Sequence, residues 1–323
     1  MRVMKQAIAT TGLLAAISVH AGEPWLAEPR YQGVAYDSYA DVTLAQAAER
    51  RNYRREMVAA SAASYNLPLS RRSAVFGSIG LPGEPALGPP PSYLRRFADI
   101  DNSQAPLPLD SLDFQGGSSQ VFTLGYRWRS IKLEGSAFSA PPQDETRMKT
   151  ESLKLASRSG RLSVSPAPNL SFQFSRGTIS SLDQLEPNGE VRRTTISATY
   201  KRSFKEVDWQ TTLAWGRNAR KDRESNYGYL LESSLRLANA HAFFGRVEQV
   251  GSDDMIREND AFSRQMFKVN KLTVGYVYDV HASRHMGMDV GALMSRHYVP
   301  GNMTAIYGDN PVSYMMFVRF RLK

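Results

Sequence analysis

The chain has 323 residues, a formal net charge of +9 and no cysteine. No run of 18 or more apolar residues occurs, which excludes a helical membrane span; the missing thiols exclude disulfides, thiolate metal sites and a lipid-anchored N-terminal cysteine. The basic residues are scattered through alternating segments instead of gathered in a tail or a stripe with stacking aromatics, so nucleic acid is not an expected partner.

In chain order, Arg2 and Lys5 begin a basic stretch, residues 7–17 are largely apolar, and Val19-His20-Ala21 supplies small residues at −3 and −1. That is the pattern of a cleavable secretory signal over residues 1–21, implying export from a bacterial cytoplasm. Cleavage removes Arg2 and Lys5 and lowers the formal charge to +7. Residues 22–55 read as an N-terminal segment with a short helix over 41–51, begun by Asp41 and filled with good helix formers.

From residue 56 to 323 the apolar residues alternate, the period of a strand with two unlike faces. Thirteen strand candidates fall near 56–67, 72–80, 119–128, 130–138, 152–165, 169–177, 191–203, 207–217, 226–237, 241–250, 267–280, 285–297 and 312–322. Most are near the ~9–11 residues that cross a bilayer at a tilt. Short turns at 70–71, 129, 166–168, 204–206, 238–239 and 282–283 alternate with long polar connections near 81–118, 139–151, 178–190, 218–225, 251–266 and 298–311. An antiparallel up-and-down transmembrane β-barrel produces this alternation when short turns face the periplasm and long loops the outside.

Thirteen strands with a periplasmic C-terminus leave the N-terminus on the wrong side. Either residues 31–36 supply a fourteenth strand or residues 22–55 enter the lumen as a plug; a twelve-stranded wall is the alternative count. The Pro- and Gly-rich stretch 81–91 cannot be regular structure and reads as a stiff loop, extracellular or folded inward.

Strand parity sorts the faces. Phe122, Leu124, Tyr126 and Trp128 share one side, as do Trp209, Leu213 and Trp215, then Tyr227, Tyr229 and Leu231, then Leu272, Val274, Tyr276 and Tyr278. In the last strand Met316, Val318, Phe320 and Leu322 do the same. The other side collects Arg127, Lys132, Glu134, Arg161, Arg193, Lys201, Asp208, Glu232, Arg236, Arg246, Glu248, Lys271, Asp279, Asp289, Arg319 and Arg321. An Arg or Lys on the lipid face at the midplane costs roughly 2–4 kcal/mol, so these residues are expected to line a polar lumen. Ten are basic and six acidic, a modest lean toward anions unless opposite charges pair and close the lumen.

Chemistry-bearing motifs are sparse. His281 and His285 flank a turn without a matching carboxylate, so no metal site is expected; Ser295 with His297 would need an outward face near the rim to serve a barrel hydrolase. No nucleotide, metalloprotease or serine-hydrolase signature is present, and no cofactor or catalytic residue is expected.

Segments 81–90, 132–138, 184–187, 192–200, 209–218 and 272–279 together resemble a poorly characterised family of proteobacterial outer-membrane β-barrel proteins often found beside copper and heavy-metal resistance genes. The resemblance covers roughly residues 50–323 and implies outer-membrane lipid, lipopolysaccharide and the barrel-assembly machinery as partners. This chain looks N-terminally shortened. It also has no histidine in 50–55 and 108–117, where relatives are His-rich, so a copper-binding role does not carry over. Outer-membrane barrels usually end on an aromatic residue, whereas here Phe320 lies three positions before Lys323. The resulting expectation is a passive, porin-like channel, with a barrel closed by internal ion pairs as the alternative.

Overall fold

The computed structural model describes residues 33–37, 61–81, 85–89, 101–102, 120–139, 155–180, 190–221, 224–238, 240–252, 265–280, 286–304 and 308–322. The signal, the helix expected over 41–51, His281 and His285 lie outside the described residues.

Fourteen strands form one sheet. They are Gly33–Asp37 (β1), Ser61–Ser70 (β2), Ser73–Leu81 (β3), Val121–Trp128 (β4), Ile131–Phe138 (β5), Ser157–Ala167 (β6) and Leu170–Ser180 (β7). Glu190–Ser203 (β8), Val207–Ala219 (β9), Asn226–Leu237 (β10), His241–Ser252 (β11), Phe267–Val280 (β12), Met286–Tyr298 (β13) and Val312–Leu322 (β14) complete it. Each strand from β2 to β13 pairs antiparallel with its successor, and β1 pairs with β14. Among the described residues no ladder joins β1 to β2. The fourteenth strand is therefore Gly33–Asp37, overlapping the stretch 31–36 that the odd count pointed to, and the wall draws it from the N-terminal segment.

Sequence alternation becomes two unlike surfaces because side chains project to opposite faces of a pleated strand. One face is exposed and apolar, with Leu124 56 % and Met316 70 % exposed amid a continuous field of Leu, Val, Phe, Tyr and Trp. In water such a field would far exceed the few hundred Å² of apolar patch that soluble monomers tolerate. Facing lipid, it is the wall of an antiparallel up-and-down transmembrane β-barrel. Aromatics mark both edges: Trp128, Trp209 and Tyr278 near the short turns, Tyr227, Tyr298 and Tyr314 near the long connections.

Several strand boundaries differ from the sequence reading by a few residues, and proline explains one. The turn expected at 166–168 begins later, because β6 continues to Ala167 with a register shift between Val164 and Ala167 around Pro166. A similar shift in β2 follows Pro68. Proline has no N–H to give a ladder, so the chain places it where the ladder is already broken. The strand expected from residue 56 is described from Ser61 onward, as β2; residues 56–60 lie outside the described residues.

Candidate functional site: the inner face and the loop fastened to it

The inner face is built by direct cross-strand pairing. Glu134 on β5 stands opposite Arg161 on β6. Arg161 donates through Nε to Glu134 Oε2 at 2.9 Å and through Nη2 to Oε1 at 3.3 Å, and Lys132 Nζ lies 3.0 Å from the same carboxylate. The two-pronged guanidinium contact is the geometry that compensates best for taking both charges out of water.

A second cluster crosses β10 to β12. Glu232 faces Arg246, whose Nε donates to Glu232 Oε2 at 3.2 Å, and Arg246 Nη1 is 4.0 Å from Glu248. Glu248 faces Lys271 in turn. Farther round the wall Asp289 faces Arg319, with Arg319 Nε 3.9 Å from Asp289 Oδ2. Arg193 Nε donates to Asn218 Oδ1 at 2.9 Å.

Between the charges runs a hydroxyl and amide track. Gln173 Nε2 donates to Thr195 Oγ1 at 3.2 Å, Ser197 Oγ donates to Gln173 Oε1 at 3.0 Å, and Thr195 shares a 2.7 Å hydrogen bond with Ser175. Thr199–Thr212 and Thr273–Ser295 hydroxyl pairs continue it.

The first long connection turns inward. Residues 85–89 are buried against the wall: Ala86 N–H donates to Ser136 Oγ at 2.8 Å, and Gly88 N–H to Ser175 Oγ at 2.9 Å. Gly88 carbonyl accepts from Arg161 Nη1 at 3.3 Å, so the Glu134–Arg161 pair also grips the loop. Leu87 packs with Val121, Phe138 and Ile179. A Cβ on Gly177 would lie 3.1 Å from Leu87 Cδ1 and 2.8 Å from Ser159 Cβ, so the glycine on β7 leaves room for the leucine. Farther along, Asp101 is buried on β10, where Ser234 Oγ donates to its carboxylate and Arg236 grips it with two nitrogens, Nε at 3.2 Å.

One part of the inner face is apolar. Ala242, Phe244, Val277, Leu293, Met315 and Phe317 form a buried cluster across β11 to β14. Its two rings lie over glycines directly opposite, Phe244 over Gly275 and Phe317 over Gly291, and Phe76 lies over Gly125 in the same manner.

Of the residues expected to line a lumen, Glu134, Arg161, Arg193, Glu232, Arg246, Glu248, Lys271, Asp289 and Arg319 are buried on this inner face. Arg127, Lys132, Arg236 and Asp279 are half-buried on it, and the Arg321 side chain lies outside the described residues. Ser295 and His297 are buried on the inner face, not on the outward face that a rim hydrolase needs, and Ser295 Oγ is engaged by Thr273 at 2.9 Å. Among the described residues no group of three or more His, Cys, Asp or Glu is arranged to hold a metal. Sequence reasoning missed Asp101, the hydroxyl anchors Ser136 and Ser175, and the apolar cluster. The glycines opposite Phe244 and Phe317 were the available signal for the last.

No family model matches the sequence, and no curated protein matches it. Solved structures do match in fold. OmpF of Salmonella typhi, in complex with daunomycin, aligns over 82% of this chain and 90% of its own with 8% identity and a TM-score of 0.50. An anion-selective porin from Comamonas acidovorans aligns over 81% and 88% with 12% identity and a TM-score of 0.46. OpdL of Pseudomonas aeruginosa aligns over 81% of each chain with 10% identity and a TM-score of 0.43. At 8% identity the likeness to OmpF is one of fold.

Proposed function

We propose that this chain is a passive, porin-like channel of the bacterial outer membrane, exported by its N-terminal signal and narrowed by its first long connection. The long connections face outward and the short turns the periplasm. The observation that carries this reading is the fastening of residues 85–89 to β5, β6 and β7 and of Asp101 to β10. A loop tied at two places to a charged and hydroxylated inner wall reduces the bore without removing its polar lining.

The lumen residues of the reading are the inner-face charges named above. Pairing of Arg161 with Glu134, Arg246 with Glu232 and Arg319 with Asp289 neutralises those charges locally and leaves only the modest basic surplus of the set, so the anion preference is weak. Transport is passive and no reaction is catalysed. The narrower kinship with the outer-membrane family found near copper-resistance genes is supported by the segments quoted above, but without the His-rich stretches it brings no copper site to this chain.

A second reading, a barrel closed by its own ion pairs, is favoured by the depth of burial: Ser295 is 0 % exposed, Thr212 1 % and Glu248 1 %. Planar-bilayer recording of the purified, folded protein in a salt gradient separates the two. The channel reading expects discrete ion-permeable events with a small reversal potential of anion-selective sign. A silent membrane at every voltage overturns it in favour of the closed barrel.

A further inference from the structure

Although the outer face is apolar, it carries a localised set of cations. Arg158, Arg176, Arg192 and Arg217 lie on four consecutive strands, β6 to β9, all exposed and all near the strand ends that adjoin long connections. Their register is a checkerboard with threonine. Arg158 faces Thr178, which faces Arg192; Arg176 faces Thr194, which faces Arg217. Each arginine is thus the diagonal neighbour of the next, about 7–8 Å away. Lys268 on β12 and Arg296 on β13 lie outward at the same end, Arg296 Cζ 5.4 Å from the centre of the Tyr298 ring.

Carboxylates do not balance this set. Among strand residues whose side chains are described, Glu190 alone is acidic on the outer face, and it reaches only Arg192, at 3.9 Å. Arg217 is met by the neutral Ser225 hydroxyl at 2.9 Å. At the short-turn end the outer face of the described strands has a single arginine, Arg202. Diagonal guanidiniums repel one another, and a multiply charged anion with several acceptor oxygens reverses the sign of that interaction. Next toward the membrane interior come the exposed apolar residues Leu162, Phe174 and Ile196, aligned in one cross-strand row beneath the arginines. The ligand that matches both levels has phosphates above and acyl chains below.

We propose that the outer surface of β6 to β9 is a binding site for the phosphorylated glycolipid of the outer leaflet, lipopolysaccharide. Its phosphates are held by Arg158, Arg176, Arg192 and Arg217, and its acyl chains lie on Leu162, Phe174 and Ile196. Placing this site in the outer leaflet rests on the orientation proposed above; binding in detergent does not depend on it. A channel that fails to conduct would leave this site untouched, because the two are read by different measurements.

The test uses the purified full-length barrel, with its folded state checked by heat-modifiable migration. Native mass spectrometry compares bisphosphorylated lipid A with the same lipid after removal of both phosphates. Wild type is expected to prefer the phosphorylated lipid at least about tenfold, as two or more charge-assisted contacts require. Arg158→Gln/Arg176→Gln/Arg192→Gln/Arg217→Gln should abolish the preference, while Arg202→Gln, at the other end of β8, should retain it. Equal affinity of wild type for both lipids, or an unchanged preference in the fourfold variant, overturns the proposal. So does a thermal shift of the same size from inorganic phosphate alone, which would mark a simple anion site with no lipid component.

Discussion

Asp101 and Arg236 stand 135 positions apart and meet inside the barrel, where the buried Asp101 carboxylate takes both the guanidinium and the Ser234 hydroxyl. This contact ties the far part of the first long connection to β10. Asp101→Asn keeps the shape but removes the charge, and a hydrogen bond to a charged group contributes about 1.5–3 kcal/mol. The expected outcome is a loosened loop with little loss of fold: faster protease cleavage within 90–119 and larger, noisier single-channel current than wild type.

Glu134 holds both wall and loop through Arg161, so Glu134→Gln strands a buried guanidinium. The expected loss is about 3–5 kcal/mol in urea unfolding from liposomes, followed by tryptophan fluorescence. Adding Arg161→Gln should recover part of that loss, because the double variant no longer buries the Arg161 guanidinium without the carboxylate it was paired with.

Phe317 covers Gly291 so closely that a Cβ there would lie 2.3 Å from the ring's Cζ. Gly291→Ala is expected to cost about 1–3 kcal/mol through overpacking. Combining it with Phe317→Leu should restore some stability, giving a favourable coupling in a double-mutant cycle.

Arg129 closes the β4–β5 hairpin with φ of 50°, a conformation that costs a side-chain-bearing residue about 1–2 kcal/mol. Its guanidinium sits 5.1 Å from the centre of the Trp128 ring, which offsets part of that. Arg129→Gly should therefore raise stability by about 0.5–1 kcal/mol, the relief of strain exceeding the entropy that glycine loses and the ring contact given up.

Much of the wall was legible because a strand's period is two and one face meets lipid. The alternation of Phe122, Leu124, Tyr126 and Trp128 with Thr123, Gly125 and Arg127 fixes which way β4 faces without any knowledge of its neighbours. Loop lengths carried the up-and-down order for the same local reason. The last strand was harder: Met315 and Phe317 are as apolar as Met316 and Val318, so only Arg319 and Arg321 betray the inner side, and the inner apolar cluster stayed hidden. The fastening of the loop was not legible at all. Nothing local to residues 85–89 or to Asp101 names Ser136, Ser175, Arg161 or Arg236 as a partner, because those meetings are created by curling the sheet. The outward arginines of β6 to β9 escaped notice for a related reason: each is isolated along its own strand, and they become neighbours only through register.

Whether a conducting barrel is narrowed by its first long connection is decided by replacing residues 82–119 with a short Gly/Ser turn and comparing single-channel conductance with wild type in the same bilayer. The expected result is discrete channels in both proteins, several-fold larger in the shortened one. Silence in both would mean that the barrel is closed by its wall, and equal conductance that the loop does not set the bore; either overturns the narrowed channel.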